Sequence, residues 1–374
     1  MADLPAILTV LDDLVAIRTV PGEKNAEWLR YVSARLAAIG AEIAEVPSPA
    51  GERTGLIASI GPDRPGGLVL SGHLDVVSAD GQSWTSDPFR LRRTENRVYG
   101  RGTTDMKGFV ACAIAVFEEA ARGDLSHPVH IALSADEETA CQSARSLAAH
   151  IAKNLPPPRG VLVGEPTALR PSNGQKGSYT YAVDVTGRAA HASMPELGVS
   201  ATAIAARLMT WIEDQSARVY GPETTSHSVG VVEGGTASNI IAGHCRFEWD
   251  IRLAAGDRLD QIEQAFHTEV ERLLVPHREN AAEVDVRLQQ TADFPGFLTA
   301  PDHPFVKECL MASDAGDPQA FPAGSEGGIY SAAGLPVVIM GPGDLAQAHI
   351  ADEFLEIEQL ESCAVQLRRL MGMQ

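Results

Sequence analysis

Positive charge is scarce in this 374-residue chain: 30 Lys and Arg stand against 49 Asp and Glu, for a net charge of -19. That balance argues against nucleic acid and anionic membranes as partners, because a phosphate backbone rewards basic patches and repels an acidic field. It suits a cationic small molecule, although an acidic balance commonly serves solubility. Long apolar runs are also missing: none approaches the length needed to span a bilayer. Met1 to Leu8 carry no basic region, so neither a signal peptide nor a membrane anchor is expected. Cysteine is sparse, with Cys112, Cys141, Cys245, Cys309 and Cys363 odd in number and far apart. That pattern fits reduced, buried thiols in a cytoplasm rather than a disulfide framework. No internal repeat or low-complexity tract is visible.

What is present is the 44% hydrophobic content of an ordinary globular protein, in a chain long enough for two domains. Leu8, Leu11, Leu14, Val15 and then Trp28, Leu29, Val32, Leu36 recur at helical spacing, which predicts two amphipathic helices split at Pro21-Gly22. Short apolar strands are expected over 43–46, 56–60, 68–70 and 129–133, with helices over 111–121 and 144–151 among them. After Pro156-Pro157-Pro158, a strand over 160–163 delivers Glu165 at its carboxyl end, where ligands of open α/β sheets collect. This alternation indicates an α/β fold with a sheet covered by helices.

From Lys176 the grammar changes to strand (179–185), helix (199–212), strand (229–232), strand (245–251), helix (259–274) and strand (284–288). The helix over 259–274 shows one apolar face, with Asp257 expected as its cap. This β-α-β-β-α-β order is that of a self-contained α+β, ferredoxin-like unit. The α/β pattern then returns, with an apolar strand over 337–340 ending at Gly341-Pro342-Gly343. The expected division is therefore 1–175 and 292–374 for the two parts of a larger domain, with 176–291 inserted between them.

Five patches carry the chemistry: Gly72-His73-Leu74-Asp75, Asp105-Met106-Lys107-Gly108, Asp136-Glu137-Glu138, Gly164-Glu165-Pro166-Thr167, and Ala348-His349 with Asp352-Glu353. Each alone has a plainer reading, as a capped strand end, a helix-capping aspartate or acids at a helix start. Together they supply the nitrogen and oxygen donors that zinc accepts when one position must stay open for catalysis. Residues two apart on extended backbone share a face, so Asp75 is expected to bond the far nitrogen of His73 and fix its tautomer. Of the acids after the 129–133 strand, one would bind metal while the other stays free as a base.

Ser71 to Val77, Gly100 to Gly108, Asp136-Glu137-Glu138, Gly164 to Thr167, and Gly341-Pro342-Gly343 with Gln347-Ala348-His349 resemble the motifs of the acetylornithine deacetylases. These belong to the superfamily of di-zinc aminoacylases, carboxypeptidases and succinyl-diaminopimelate desuccinylase. The resemblance spans essentially the whole chain. It implies a central mixed sheet of the zinc-exopeptidase type and a lid and dimerisation role for the inserted domain. It also implies two divalent ions, zinc first with cobalt or manganese possible. His73 and Glu165 would hold one ion, Glu138 and His349 the other, and Asp105 would bridge them, followed by a non-proline cis peptide. Glu137 would be the general base and Asp75 the partner of His73. His191 would reach the active site of a partner subunit, making a homodimer through the inserted domain, while Asn239 and Arg252 would hold the substrate carboxylate. The loop with Gly324, Ser325 and Glu326 would border the substrate pocket, Glu326 favouring a δ-ammonium group. The implied reaction is hydrolysis of N2-acetyl-L-ornithine. The chain departs from the pattern at Ala348-His349-Ile350-Ala351, where a proline is common, which leaves acetylcitrulline, other N-acyl amino acids and a desuccinylase substrate as alternatives.

Overall fold

The computed structural model describes residues 4–21, 26–49, 51, 53–216, 224–277 and 281–373. Met1 to Asp3 and Gly22, parts of two expectations above, lie outside the described residues. The chain divides into two compact units, Met1–Gln175 with Phe297–Gln374, and Lys176–Gly296.

The first unit is built on a nine-stranded mixed sheet. At its centre, Leu68–His73 lies parallel to Val129–Ser134 on one side and to Gly160–Pro166 on the other. Val337–Gly341 extends this parallel core beyond Gly160–Pro166, while Glu42–Pro47 and Thr54–Ile60 add antiparallel strands at one edge. All residues of Leu68–His73, Val129–Ser134 and Gly160–Pro166 are buried, as strands covered on both faces must be. The helix Lys107–Ala120 is almost wholly buried, packing against the helices Leu4–Ala16 and Ile357–Leu370. Gly164 allows this helix its close approach: a Cβ there would lie 2.0 Å from the Phe109 ring.

The second unit is a four-stranded antiparallel sheet in the order Ser226–Gly234, His244–Leu253, Gly177–Thr186, Asp285–Phe294. In His244–Leu253 every second residue, from Cys245 through Phe247, Trp249 and Ile251 to Leu253, is buried. The helices Ala201–Gln215 and Leu259–Leu274 join these residues in one apolar cluster that includes Leu208, Ile212, Phe266 and Val270. The last strand reaches Phe294, beyond the apolar alternation that suggested an end at Leu288. The capping expectation for Asp257 fails. Arg258 holds the cap position with no side-chain bond, because the Asp257 carboxylate accepts instead from Thr225 Oγ1 at 2.5 Å. All five cysteines are free and buried. Among the described residues no helix is long and apolar enough to cross a membrane.

Candidate metal centre

The three central parallel strands run the same way, so their carboxyl ends open onto one region. His73 ends the first strand, Glu137 and Glu138 follow the second within a turn, and Glu165 lies near the end of the third. Asp105 is carried by the turn that enters the buried helix, and the Asp105–Met106 peptide is cis. His349 sits in the loop after Val337–Gly341.

Asp105 divides its carboxylate between two partners. Its Oδ1 lies 3.0 Å from His73 Nε2, and its Oδ2 lies 3.1 Å from His349 Nε2. Glu165 Oε1 is 3.8 Å from His73 Nε2, and Glu138 Oε1 is 3.2 Å from His349 Nε2. Two donor groups result, His73 with Asp105 and Glu165, and Asp105 with Glu138 and His349, each with ligand atoms within 4.8 Å of one another. They share one residue.

Residues 69–372 match Peptidase family M20/M25/M40. The chain belongs to this family.

Among curated relatives of this M20/M25/M40 chain, acetylornithine deacetylase from Myxococcus xanthus is 33% identical, covering 99% of this chain and 97% of the relative. Acetylornithine deacetylase from Proteus mirabilis is 32% identical, covering 99% and 96%. Among solved structures, the aminopeptidase PepT of Bacillus cereus superposes with a TM-score of 0.81 at 18% identity, covering 99% and 98% of the two chains. The Bacillus subtilis YXEP protein, described as a dinuclear metal-binding peptidase, gives a TM-score of 0.74 at 15% identity, covering 98% and 97%. These structural likenesses carry the fold, a mixed sheet with helices plus a separate antiparallel sheet.

The candidate site concentrates negative charge in a buried place. Asp75, Asp105, Glu137, Glu138 and Glu165 gather about His73 and His349. Burial pushes Glu137 and Glu165 well above the ordinary carboxylate range, and the neighbouring acids push the same way. Burial alone would raise Asp105 too, yet its hydrogen bonds to His349 and His73 hold it below the usual range. Those same bonds act in reverse on the imidazoles: His73 is raised well above its ordinary value against the pull of burial, and His349 is pushed up to about 10, with Glu138 contributing. A buried excess of carboxylates that draws protons onto its histidines is a donor set suited to divalent cations, and one carboxylate facing two groups suits a bridged pair.

Asp75 departs from its expected contact. His73 Nδ1 bonds the Asp75 main-chain carbonyl at 2.9 Å, whereas the nearer Asp75 carboxylate oxygen stands 3.6 Å away. The strand ends at His73, so the extended geometry that would align the two side chains does not continue. The Asp75 carboxylate instead accepts the backbone N–H groups of Glu137 at 3.1 Å and Glu138 at 2.9 Å. Burial pushes Asp75 up to about 6. A carbonyl can only accept, so Nδ1 carries a proton, while Nε2 is the nitrogen that faces Asp105.

Glu326 lies deep in the first unit. It is fully buried, and its two oxygens accept from Ser71 Oγ at 2.5 Å and Ser134 Oγ at 2.7 Å. The helix Gly327–Ala332 begins with four buried residues, so its leading glutamate is drawn inward with them. Ser325 Oγ is likewise turned inward, donating to Gln175 Oε1 at 2.5 Å, while Gly324 is half-buried.

In the second unit, the short ladder of Ala190–His191 with Ile240–Ile241 places His191 beside the Asn239 turn, and Ala192 N donates to Asn239 O at 2.9 Å. His191 is exposed. Its Nδ1 lies 2.7 Å from Ser193 Oγ and 3.2 Å from Ser193 N. Arg252 lies near the far end of its strand from this ladder, exposed, with Nε donating to Asp250 Oδ1 at 2.9 Å.

Sequence reasoning gave no role to Glu353, Arg101 or Gln82, which surround the Asp105 turn. The signal was the second acidic pair, Asp352-Glu353, following His349 so closely.

Proposed function

We propose that this M20/M25/M40 metallohydrolase removes the acetyl group from N2-acetyl-L-ornithine, yielding L-ornithine and acetate in arginine biosynthesis in the cytoplasm. The observation that carries the hydrolytic reading is the Asp105 carboxylate split between His73 and His349, with Glu165 and Glu138 completing the two groups. Full-length relatives named acetylornithine deacetylase support the substrate. His73 and Glu165 would hold one divalent ion, Glu138 and His349 the other, with Asp105 shared, zinc being the first choice and cobalt or manganese tolerated. Such a pair, when bound, supplies Lewis acidity to the amide carbonyl and lowers the pKa of a water molecule.

The chain's own groups manage the protons. Glu137 accepts a proton from the attacking water and returns it to the departing amine. Asp75 fixes the backbone of Glu137 and Glu138 through its two accepted hydrogen bonds. His191 would stabilise the oxyanion in a partner subunit's site, and Asn239 and Arg252 would hold the substrate carboxylate. The homodimer would form through the second unit, where Ser226–Gly234 is an edge strand bearing exposed Val231 and Val232. The missing proline after His349 keeps another N-acyl amino acid amidohydrolase as the second reading.

The test is a panel of acylated amino acids assayed with metal-reconstituted protein and compared by kcat/KM. A preference for acetylornithine is expected; higher values for acetylcitrulline or a succinylated diamine would overturn the substrate assignment while keeping the hydrolase.

A further inference from the structure

Glu353 is fully buried, yet it is none of the three acids assigned to the ions and is not the base. Its carboxylate gathers four donors from the turn that carries Asp105. Arg101 Nη1 lies at 2.7 Å, Gly102 N at 2.9 Å, Thr104 N at 2.8 Å and Asp105 N at 3.1 Å. Gly102 has φ +84°, in the left-handed region that lets the turn aim its N–H groups at one anion. The arrangement reaches further. Arg101 Nη2 donates to Gln82 Oε1, and Gln82 Nε2 donates to the main-chain carbonyl of His349 at 2.8 Å.

We infer that Glu353 is a positioning residue that sets the Asp105 carboxylate between the two ligand groups and, through Arg101 and Gln82, ties that setting to the His349 loop. Three peptide N–H groups converging on one carboxylate leave the turn little freedom. Without that acceptor they would be unsatisfied in a buried place, which costs free energy unless the turn moves. Because Asp105 belongs to both ligand groups, its displacement acts on both ions, whereas loosening the Gln82 contact acts first on the His349 side. This inference rests on the two-metal reading above.

The test uses the full-length protein stripped of metal and titrated with Co2+, following the visible absorption of each bound ion. The unaltered chain should take up two ions; failure to do so would defeat the two-metal reading itself. Glu353→Gln should weaken both ions by roughly 10- to 100-fold, a loss typical for groups that orient metal ligands. It should also alter the Co2+ spectrum and lower kcat more than it changes KM. Glu353→Asp, which keeps the charge but shortens its reach, should recover part of the loss. Gln82→Ala should weaken the ion on the His349 side more than the other. Two-ion isotherms and Co2+ spectra in Glu353→Gln matching those of the unaltered chain would overturn the inference. Should that variant fail to fold, unchanged isotherms in both Glu353→Asp and Gln82→Ala would do the same.

Discussion

Leu68–His73 in the first unit and His244–Leu253 in the second make opposite use of a strand. Every side chain of the former is buried, whereas the latter alternates buried and partly or fully exposed residues along its length. A strand covered on both faces has nowhere to present chemistry except its end, and the first unit places His73 there. A strand covered on one face leaves polar side chains along its open side, which is where Arg246 and Arg252 are found. Burial thus concentrates titratable groups at one point in the first unit, while the second spreads them over a surface.

Removing metal is the severest way to probe that contrast. Chelation followed by dialysis should abolish amide hydrolysis, and Zn2+ or Co2+ should restore it, with the far-UV circular dichroism of the second unit's sheet and helices unchanged throughout. Next comes Glu137→Gln, which should lower kcat by roughly 10²- to 10⁴-fold, the range for a positioned general base. Two-ion uptake by the same variant, measured in parallel, should be retained; loss of an ion would reassign Glu137 as a ligand.

The second unit should respond through stability. Trp249 is fully buried, with ring centroids 5.1 Å from Phe266 and 5.7 Å from Tyr181. Trp249→Ala should destabilise by about 3–5 kcal/mol in urea melts, and a near-silent change would mean that this unit's core lies elsewhere.

His130 offers a subtler comparison within the first unit. Burial lowers its pKa to about 4, so the folded protein keeps it neutral while the unfolded chain takes up a proton near the ordinary value of about 6.5. Its stabilisation is therefore complete above pH 6.5 and is lost as pH falls toward 4, by at most roughly 3 kcal/mol. His130→Leu should flatten the stability profile in that window, and an unchanged slope would refute the assignment. The smallest effect belongs to Ser200, whose Oγ accepts from Ala203 N at 3.2 Å to cap Ala201–Gln215. Ser200→Ala should cost about 1 kcal/mol, seen as a lower urea midpoint without altered kcat.

The candidate donors His73, Asp105, Glu138 and Glu165 could be picked out because each lies at or just beyond an apolar strand, or at a helix entry, where a buried-type pattern breaks into His, Asp or Glu. Asp75 was misread for a local reason: the alternation of side chains applies only while the backbone stays extended, and it stops at His73. Asp257 was misread because the hydroxyl that takes its carboxylate, Thr225, lies 32 positions earlier, outside any local capping pattern. Glu353 could not have been understood from its neighbours, since the residues that donate to it lie some 250 positions earlier.

The sequence by itself determined the element order, the apolar faces and the inventory of imidazoles and carboxylates, because periodicity and residue chemistry are local properties. Only the tertiary structure decided which oxygen of Asp105 faces which histidine, which carboxylate anchors the turn and which acid is sealed away. Those outcomes depend on distances between segments far apart in the chain, and they are set by how strands and helices pack rather than by any residue's own preference.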